Sequence, residues 1–464
     1  MTRRRLLSAG SAVALHLITR PATAAKSRRF TFSKIPLMLG ADSVSDSIHT
    51  LHLGDIADLQ PKCAWRLRDA TPLTDRLFRL ALHSFEENVY TADPLGTYLT
   101  AGTHWGARKY TRDVSYSGLL GANVLFPELM LSSLKNFTAT REELGWRVPT
   151  GWDARSPELK VDWIVEPIPI LEYLAKYRTD PYTHRTDDVV WIWAMHDLFQ
   201  RNPGLADWEW FYRAGMKQFS STYDLFFDVA DGLYRGQLTF VDVTGSGYAP
   251  HSSVADCVLV KATATNCLYV MALRAMAEAA ERTGHADEAK NWRKRAEVLR
   301  TAIVEHLRLP GGGFSCYRDR AGLLRPERDA MGTALVILAG VVRGKEARRA
   351  IDGYPRDERG VPLFEPFLPW GSATGQYHNH SAWPFASTFF YKALEVAERR
   401  DCTDENAAML ARFVTAEKAG APATFREYCW WQDGVPRGSA DQLWSAAAFL
   451  DVCWRAGLIV GVAG

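Results

Sequence analysis

Beyond its first 24 residues the chain has no uncharged apolar run near twenty residues long. A later membrane-crossing helix is therefore not expected. Cysteine is sparse: Cys63, Cys257, Cys267, Cys316, Cys402, Cys429 and Cys453, seven in 464 residues. None falls in a Cys-x-x-Cys pair or at zinc-binding spacing, which argues against a zinc module or a thioredoxin-like site. An odd number leaves at least one thiol unpaired. There is room for one or two disulfides, and the remaining cysteines read as small buried apolar residues. Net charge is slight, formally +2, so the basic footprint of a nucleic-acid-binding protein is missing. No Pro/Ser-rich linker divides the chain. Length alone would fit two or three domains, but it is a soft guide.

The first 24 residues differ from the rest. Arg3, Arg4 and Arg5 precede a short apolar run, then Pro21 and an Ala-x-Ala site at Ala22–Ala24. That order is the pattern of a secretory signal, and "TRRRLL" is similar to the twin-arginine export signal. Export to the periplasm or outside the cell is the expectation. Residues 1–24 carry four Arg and no acid, so their removal moves the formal charge from +2 to −2. Residues 25–73 read as an N-terminal extension, with "FTFSKIPLML" and "IHTLHLG" as short strands.

From residue 74 to 464 the pattern is helical. Apolar residues recur at three- and four-residue steps over 74–90, 115–136, 165–177, 185–199, 208–229, 261–283, 285–307, 326–341, 344–352, 380–399, 403–419 and 439–456. Short links such as "TGHAD", "NPGLAD" and "RGKE" alternate with long ones rich in Trp, Tyr, Gly and Pro: 92–114, 137–164, 230–260, 308–325, 353–379 and 420–438. About twelve helices with such links predict an all-α (α/α)6 barrel, six helical hairpins closed into a double ring. The long links would gather at one end and line a pocket.

Polar and aromatic residues concentrate in four of these stretches. Sugars present flat apolar faces and rims of hydroxyls, so aromatic platforms beside carboxylates and amides suit them. In "HWGARKYTRDVSYS", Arg112 and Asp113 lie among Trp105, Tyr110 and Tyr116. Asp113 reads either as the N-cap of a helix starting near Ser115 or as half of a pair held at the pocket mouth. In "DGLYRGQLTFVDVTGSGYAP", Asp242 follows Phe240 and Val241. Apolar neighbours would raise its pKa as a general acid requires, unless it only steadies the "TGSG" turn. In "LPWGSATGQYHNHSAWPFASTFFY", Tyr377, His378, Asn379 and Trp383 read as pocket wall or loop supports. His378 and His380 are alternate residues, poorly placed to share one metal. In "ATFREYCWWQDGVPRGSADQLWSAAAFL", Glu427 is a second rim carboxylate beside Trp430 and Trp431, unless it merely pairs with Arg426 or Arg437. Trp152, Asp153, Asp162 and Glu166 occupy a further long link. Asp162 or Glu166 is the reserve acid should Asp242 not serve.

The words "YTRDVSYS", "YHNHSAWPF" and "QLWSAAAFL", in this order, resemble the six-hairpin glycosidases. They are similar to a set of exported bacterial proteins and, more distantly, to the glucoamylase family. The resemblance covers roughly residues 75–457. It implies that Arg112 and Asp113 hold the terminal sugar, that Glu427 in "REY" is the general base, and that Asp242 sits in the general-acid loop. An Asp there departs from glucoamylase but agrees with trehalase-like and processing-glucosidase-like relatives.

The expectation is an exported glycoside hydrolase, exo-acting and inverting, with Asp242 as acid and Glu427 as base. Its partner is an oligosaccharide or glycoside, with no nucleic acid, no membrane after signal removal, and no metal or organic cofactor required. Trp105, Trp152, Trp383, Trp430 and Trp431 are its candidate platforms, some of them core; Glu166, Tyr377, His378 and Asn379 are its further substrate contacts. The rival readings are a polysaccharide lyase or sugar epimerase on the same toroid, using Tyr377, His378 and His380, and a catalytically silent carbohydrate-binding protein.

Overall fold

The computed structural model describes residues 38–39, 43–45, 50–143, 186–238, 240–241, 247–249, 252, 256–257, 259–370, 377–398, 400–418 and 420–461. Among these, twelve helices have seven residues or more. They are α1 Pro72–Glu87, α2 Thr111–Ser117, α3 Pro127–Glu143, α4 Asp187–Arg201, α5 Trp208–Phe226, α6 Thr263–Arg282, α7 Ala286–His306, α8 Ala330–Leu338, α9 Lys345–Ile351, α10 Pro384–Glu398, α11 Thr403–Arg412 and α12 Leu443–Arg455.

Burial sorts them by parity. Every residue of α2 and of α8 is buried, and α4, α6, α10 and α12 are buried almost all round. A helix apolar on all sides needs neighbours on all sides. By contrast α7 buries only Ala289, Trp292, Ala296, Leu299, Ala302 and Ile303, one stripe at three- and four-residue steps. The even helices accordingly pack in sequence, α2 on α4, α6, α8, α10 and α12, and α12 returns to α2. The odd helices lie outside: α3 touches α2 and α4, α5 touches α4 and α6, α9 touches α8 and α10, and α11 touches α10 and α12. The result is the expected (α/α)6 double ring. Each outer helix is joined to the next inner one by a long link, which therefore ends at the N-terminus of that inner helix.

Near the chain ends, strand Ile459–Gly461 pairs antiparallel with Trp65–Leu67, with Val460 opposite Arg66. In the N-terminal extension, Met38–Leu39, Ser43–Ser45 and Thr50–His52 make a three-stranded antiparallel sheet. No helix among the described residues is long and apolar enough to cross a membrane. All seven cysteines are free, and all but Cys63 are buried.

The helix expected over 115–136 is two helices. α2 starts at Thr111 and ends at Ser117, a wide turn spans Gly118–Ala122, and Pro127 opens α3. Proline suits a first turn, where its missing N–H has no partner to lose. Gly121, at φ +112°, is needed in the turn: a Cβ there would stand 3.0 Å from the backbone nitrogen of Asp451 in α12. The N-cap of α2 is Tyr110, not Asp113, and the Tyr110 side chain makes no capping hydrogen bond. Asp113 lies inside the first turn, where a carboxylate still meets the positive end of the helix dipole. The helix expected over 165–177 lies outside the described residues.

Asp329 caps α8, accepting a hydrogen bond from the Gly332 N–H at 2.6 Å. Its Oδ2 is buried and has no hydrogen-bond partner among the described residues. Burial pushes its carboxyl up from 3.8 to about 7, while backbone N–H groups pull the other way. A folded-state pKa above the unfolded one stabilises fully below about pH 3.8, and that share is lost as pH rises through about 7. Asn caps as well as Asp. Asp329→Asn should therefore match the wild type in acid and exceed it by a few kcal/mol in mild alkali. Calorimetric melting at several pH values checks this; a gap that stays constant with pH would contradict it.

Candidate active site

Glu427 stands in the link between α11 and α12. A hairpin, Val414–Ala416 with Ala423–Phe425, brings the chain up from α11. Strand Tyr428–Trp430 then pairs with Ser381–Ala382 on one side and Pro436–Arg437 on the other. The Glu427 N–H donates to the Arg437 carbonyl at 3.0 Å, so the backbone at this acid is fixed by the sheet. The side chain is 3% exposed. Its Oε1 accepts from the Tyr377 hydroxyl at 2.7 Å and its Oε2 from the Ser439 N–H at 2.9 Å. Arg437 pairs with Asp433, whereas Arg426 donates to the Gly438 carbonyl and its charge still acts on Glu427.

Gly438 makes this arrangement possible. Its φ is +83°, and a Cβ there would lie 2.3 Å from Glu427 Oε2 and 2.6 Å from Glu427 Cβ. Both the backbone conformation and the space demand glycine. Gly438→Ala should lower the turnover rate by roughly tenfold to a hundredfold by displacing the carboxylate, and lower the melting temperature by a few degrees. Steady-state rates and a thermal melt on one preparation check this, and unchanged rates would contradict it.

Arg112 and Asp113 are buried in α2. Arg112 Nε lies 3.4 Å from Asp187 Oδ1 in the first turn of α4. Asp188, the next residue, is paired at 3.1 Å with Arg141 of α3, which also donates to the Asp187 carbonyl at 2.9 Å. Asp187 and Asp188 are not among the residues that the sequence pattern picks out. The available signal was an acidic doublet, "TDDVV", opening an otherwise apolar helix. Ser439 acts through its backbone N–H, which leaves no signal in residue type.

The third stretch joins the other two. Trp383 is 1% exposed. Its ring runs nearly parallel to His378 at 5.5 Å and to Tyr428 at 5.3 Å, with Tyr377 edge-on at 5.1 Å. Trp383 is thus enclosed in the wall and presents no open platform. His378 is enclosed with it. Phe240 packs against His378, Trp383, Phe385 and Trp444 at centroid distances of 4.9–6.0 Å. The second stretch therefore meets the third beside Tyr377. Asp242, two residues beyond Phe240, lies outside the described residues, as do Trp152, Asp153, Asp162 and Glu166.

Asn379 supports the loop. Its amide donates to the Leu368 and Trp370 carbonyls and its oxygen accepts from the Leu368 N–H. His380 stacks on Phe367 at 4.2 Å. Trp430 and Trp431 are half-buried, and each has a guanidinium over its ring, Arg437 at 4.0 Å and Arg359 at 4.2 Å. One face of each ring is occupied by a cation–π contact. Trp105 is half-buried, edge-on to Tyr110 at 5.7 Å. Its turn leans on the Glu427 link, since Thr103 donates to the Ala440 carbonyl at 3.1 Å. The first and fourth stretches are therefore neighbours, as the barrel required.

Residues 184–445 match the family described as the mannosylglycerate hydrolase MGH1-like glycoside hydrolase domain, more than half of the chain. The chain belongs to that family. It is a glycoside hydrolase on an (α/α)6 barrel, a six-hairpin glycosidase. Solved structures share the fold. A structure titled sialidase aligns at TM-score 0.56 and 12% identity over 85% of this chain and 34% of that one. A wild-type glycosidase aligns at 0.53 and 16% over 83% and 98%. A GH78 family rhamnosidase of Bacillus sp. GL1 aligns at 0.51 and 16% over 85% and 36%. The chain thus spans about a third of the sialidase's length. No curated protein sequence matches. The family match takes in Glu427, Tyr377 and Phe240 of this hydrolase and begins after Arg112–Asp113.

Proposed function

We propose that this glycoside hydrolase removes a terminal sugar from a small glycoside or oligosaccharide with inversion of the anomeric centre. Glu427 is the general base and Asp242 the general acid. The observation that carries this is the Glu427 carboxylate, buried and oriented by the Tyr377 hydroxyl and the Ser439 N–H, on the wall that Phe240 packs into. An inverting pair stands about 6.5–9.5 Å apart, leaving room for one water between base and sugar. The acid protonates the departing glycosidic oxygen while the base takes a proton from that water. Arg112, steadied by Asp187, and Asp113 hold hydroxyls of the terminal sugar. Trp105 is the candidate stacking ring of the first stretch. The N-terminal segment directs export to the periplasm or beyond.

A lyase or epimerase would need Tyr377 or a histidine as proton acceptor. Tyr377 donates to Glu427 and His378 is 1% exposed, which supports the hydrolase instead. The test is a panel of glycosides, with mannosylglycerate first because of the family match. Proton NMR of the first product should show the anomer opposite to that of the substrate; the same anomer would overturn inversion. Asp242→Asn should lose at least a hundredfold in kcat. Full activity in that variant would move the acid role to Asp162 or Glu166.

A further inference from the structure

At the other end of the barrel, where the short links lie, a groove of about 950 Å³ opens between the α6–α7 hairpin and the turn joining α8 to α9. Three guanidinium groups gather around that turn. Arg274 of α6 donates to the Ala339 carbonyl. Arg300 of α7 reaches the Val341 carbonyl at 3.5 Å. Arg343 folds back over Gly340, its Nη2 3.1 Å from where a Cβ would stand. One carboxylate serves the group: Glu297 binds Arg274 at 3.3 Å and Arg300 at 2.8 Å. The other acids of the groove are taken, Glu278 by His196 and Arg282, Glu281 by Arg293, and Glu346 by Arg308 and Arg349. Arg343 pairs with no carboxylate among the described residues. Three positive charges thus face one negative charge on a chain whose whole formal charge is +2.

We propose that this groove is an oxyanion site, accepting a phosphate or sulfate group between Arg300 and Arg343, distinct from the glycosidase pocket. Two guanidinium forks suit a tetrahedral oxyanion, because each offers paired N–H donors in one plane. Arg274 has its pKa lowered by burial, with Arg343 and Arg300 adding repulsion, and an anion in the groove would relieve that repulsion. The bound group is either a free ion or the same group carried on a sugar.

The test is calorimetric titration of the full chain with inorganic phosphate, sulfate and a sugar phosphate in low-salt buffer, since exposed ion pairing is screened by salt. Millimolar or tighter binding is expected. Arg343→Ala should weaken it by about tenfold, and Glu297→Gln, which removes the competing carboxylate, should tighten it. Arg343 is exposed, so its variant should fold normally, and glycoside turnover should be unchanged in both. Tighter binding of the sugar phosphate would identify a carried group, and equal binding a free ion. Absence of heat with all three probes, or wild-type affinity in Arg343→Ala, would overturn the proposal.

Discussion

Glu427→Gln should reduce kcat by about a thousandfold while leaving KM and the melting temperature nearly unchanged. The substitution keeps the shape and removes only the ability to take a proton from water, the role proposed for Glu427. It also keeps the hydrogen bonds. The Ser439 N–H can only donate, so the glutamine oxygen must turn to it. The amide NH2 then faces the Tyr377 oxygen, and a hydroxyl can rotate to accept where it formerly donated. The side chain therefore stays in place, and the loss reads the proton-transfer step. Tyr377→Phe is the companion: it frees one carboxylate oxygen without removing the proposed base, so its loss should be smaller and should fall mainly on kcat. Rates on the best glycoside, with a thermal melt of each variant, decide the matter. A Glu427→Gln enzyme within tenfold of wild type would remove Glu427 from the base role.

What could be read from the sequence was whatever is periodic or local. The double ring follows from apolar residues at helical steps and from the alternation of "TGHAD"-type turns with long aromatic links. Glu427 stood out because it sits in such a link between Arg426 and Tyr428, close before a tightly apolar last helix. The hidden part is long-range pairing. Nothing near Arg112 indicates that Asp187, 75 positions on, faces it. Nothing near Glu427 indicates the Tyr377 hydroxyl, and a backbone N–H such as that of Ser439 leaves no trace in residue type. Trp383 shows the same difficulty. Its neighbours suggest a platform, yet six other rings pack around it, and only the fold brings Phe240 and Tyr428 to it. The cap alternative for Asp113, with a helix starting near Ser115, rests on Asp being a common cap; the helix instead begins four residues earlier, at Thr111, with Tyr110 at the cap position.

A large loss of stability is expected far from the pocket, at Lys392. Its ammonium is buried between α10 and α12, 2.9 Å from Asp451 Oδ1 and 3.4 Å from the Leu119 carbonyl. The second Asp451 oxygen takes Arg455 Nε at 2.8 Å, and Arg455 continues to Glu395 at 2.7 Å. Burial works against the Asp451 carboxylate, but Lys392 and Arg455 hold its pKa below the usual range. The network ties α10 to α12 and to the turn after α2, where Gly121 comes against the α12 backbone. Lys392→Met fits the volume but leaves Asp451 with one cation in a dry site. Removing one partner of a buried pair costs about 3–5 kcal/mol, and the remaining Arg455 argues for the lower end, about 3 kcal/mol. Adding Asp451→Asn should recover part of that loss, because the stranded charge goes with it and Arg455 keeps Glu395; a double-mutant cycle isolates the coupling. Turnover at low temperature should be unaffected, since Lys392 lies below the inner-helix N-termini where Glu427 sits. Chemical denaturation of the two variants measures this. A Lys392→Met loss under about 1 kcal/mol, the level of an exposed pair, would mean that the network does not clamp the ring.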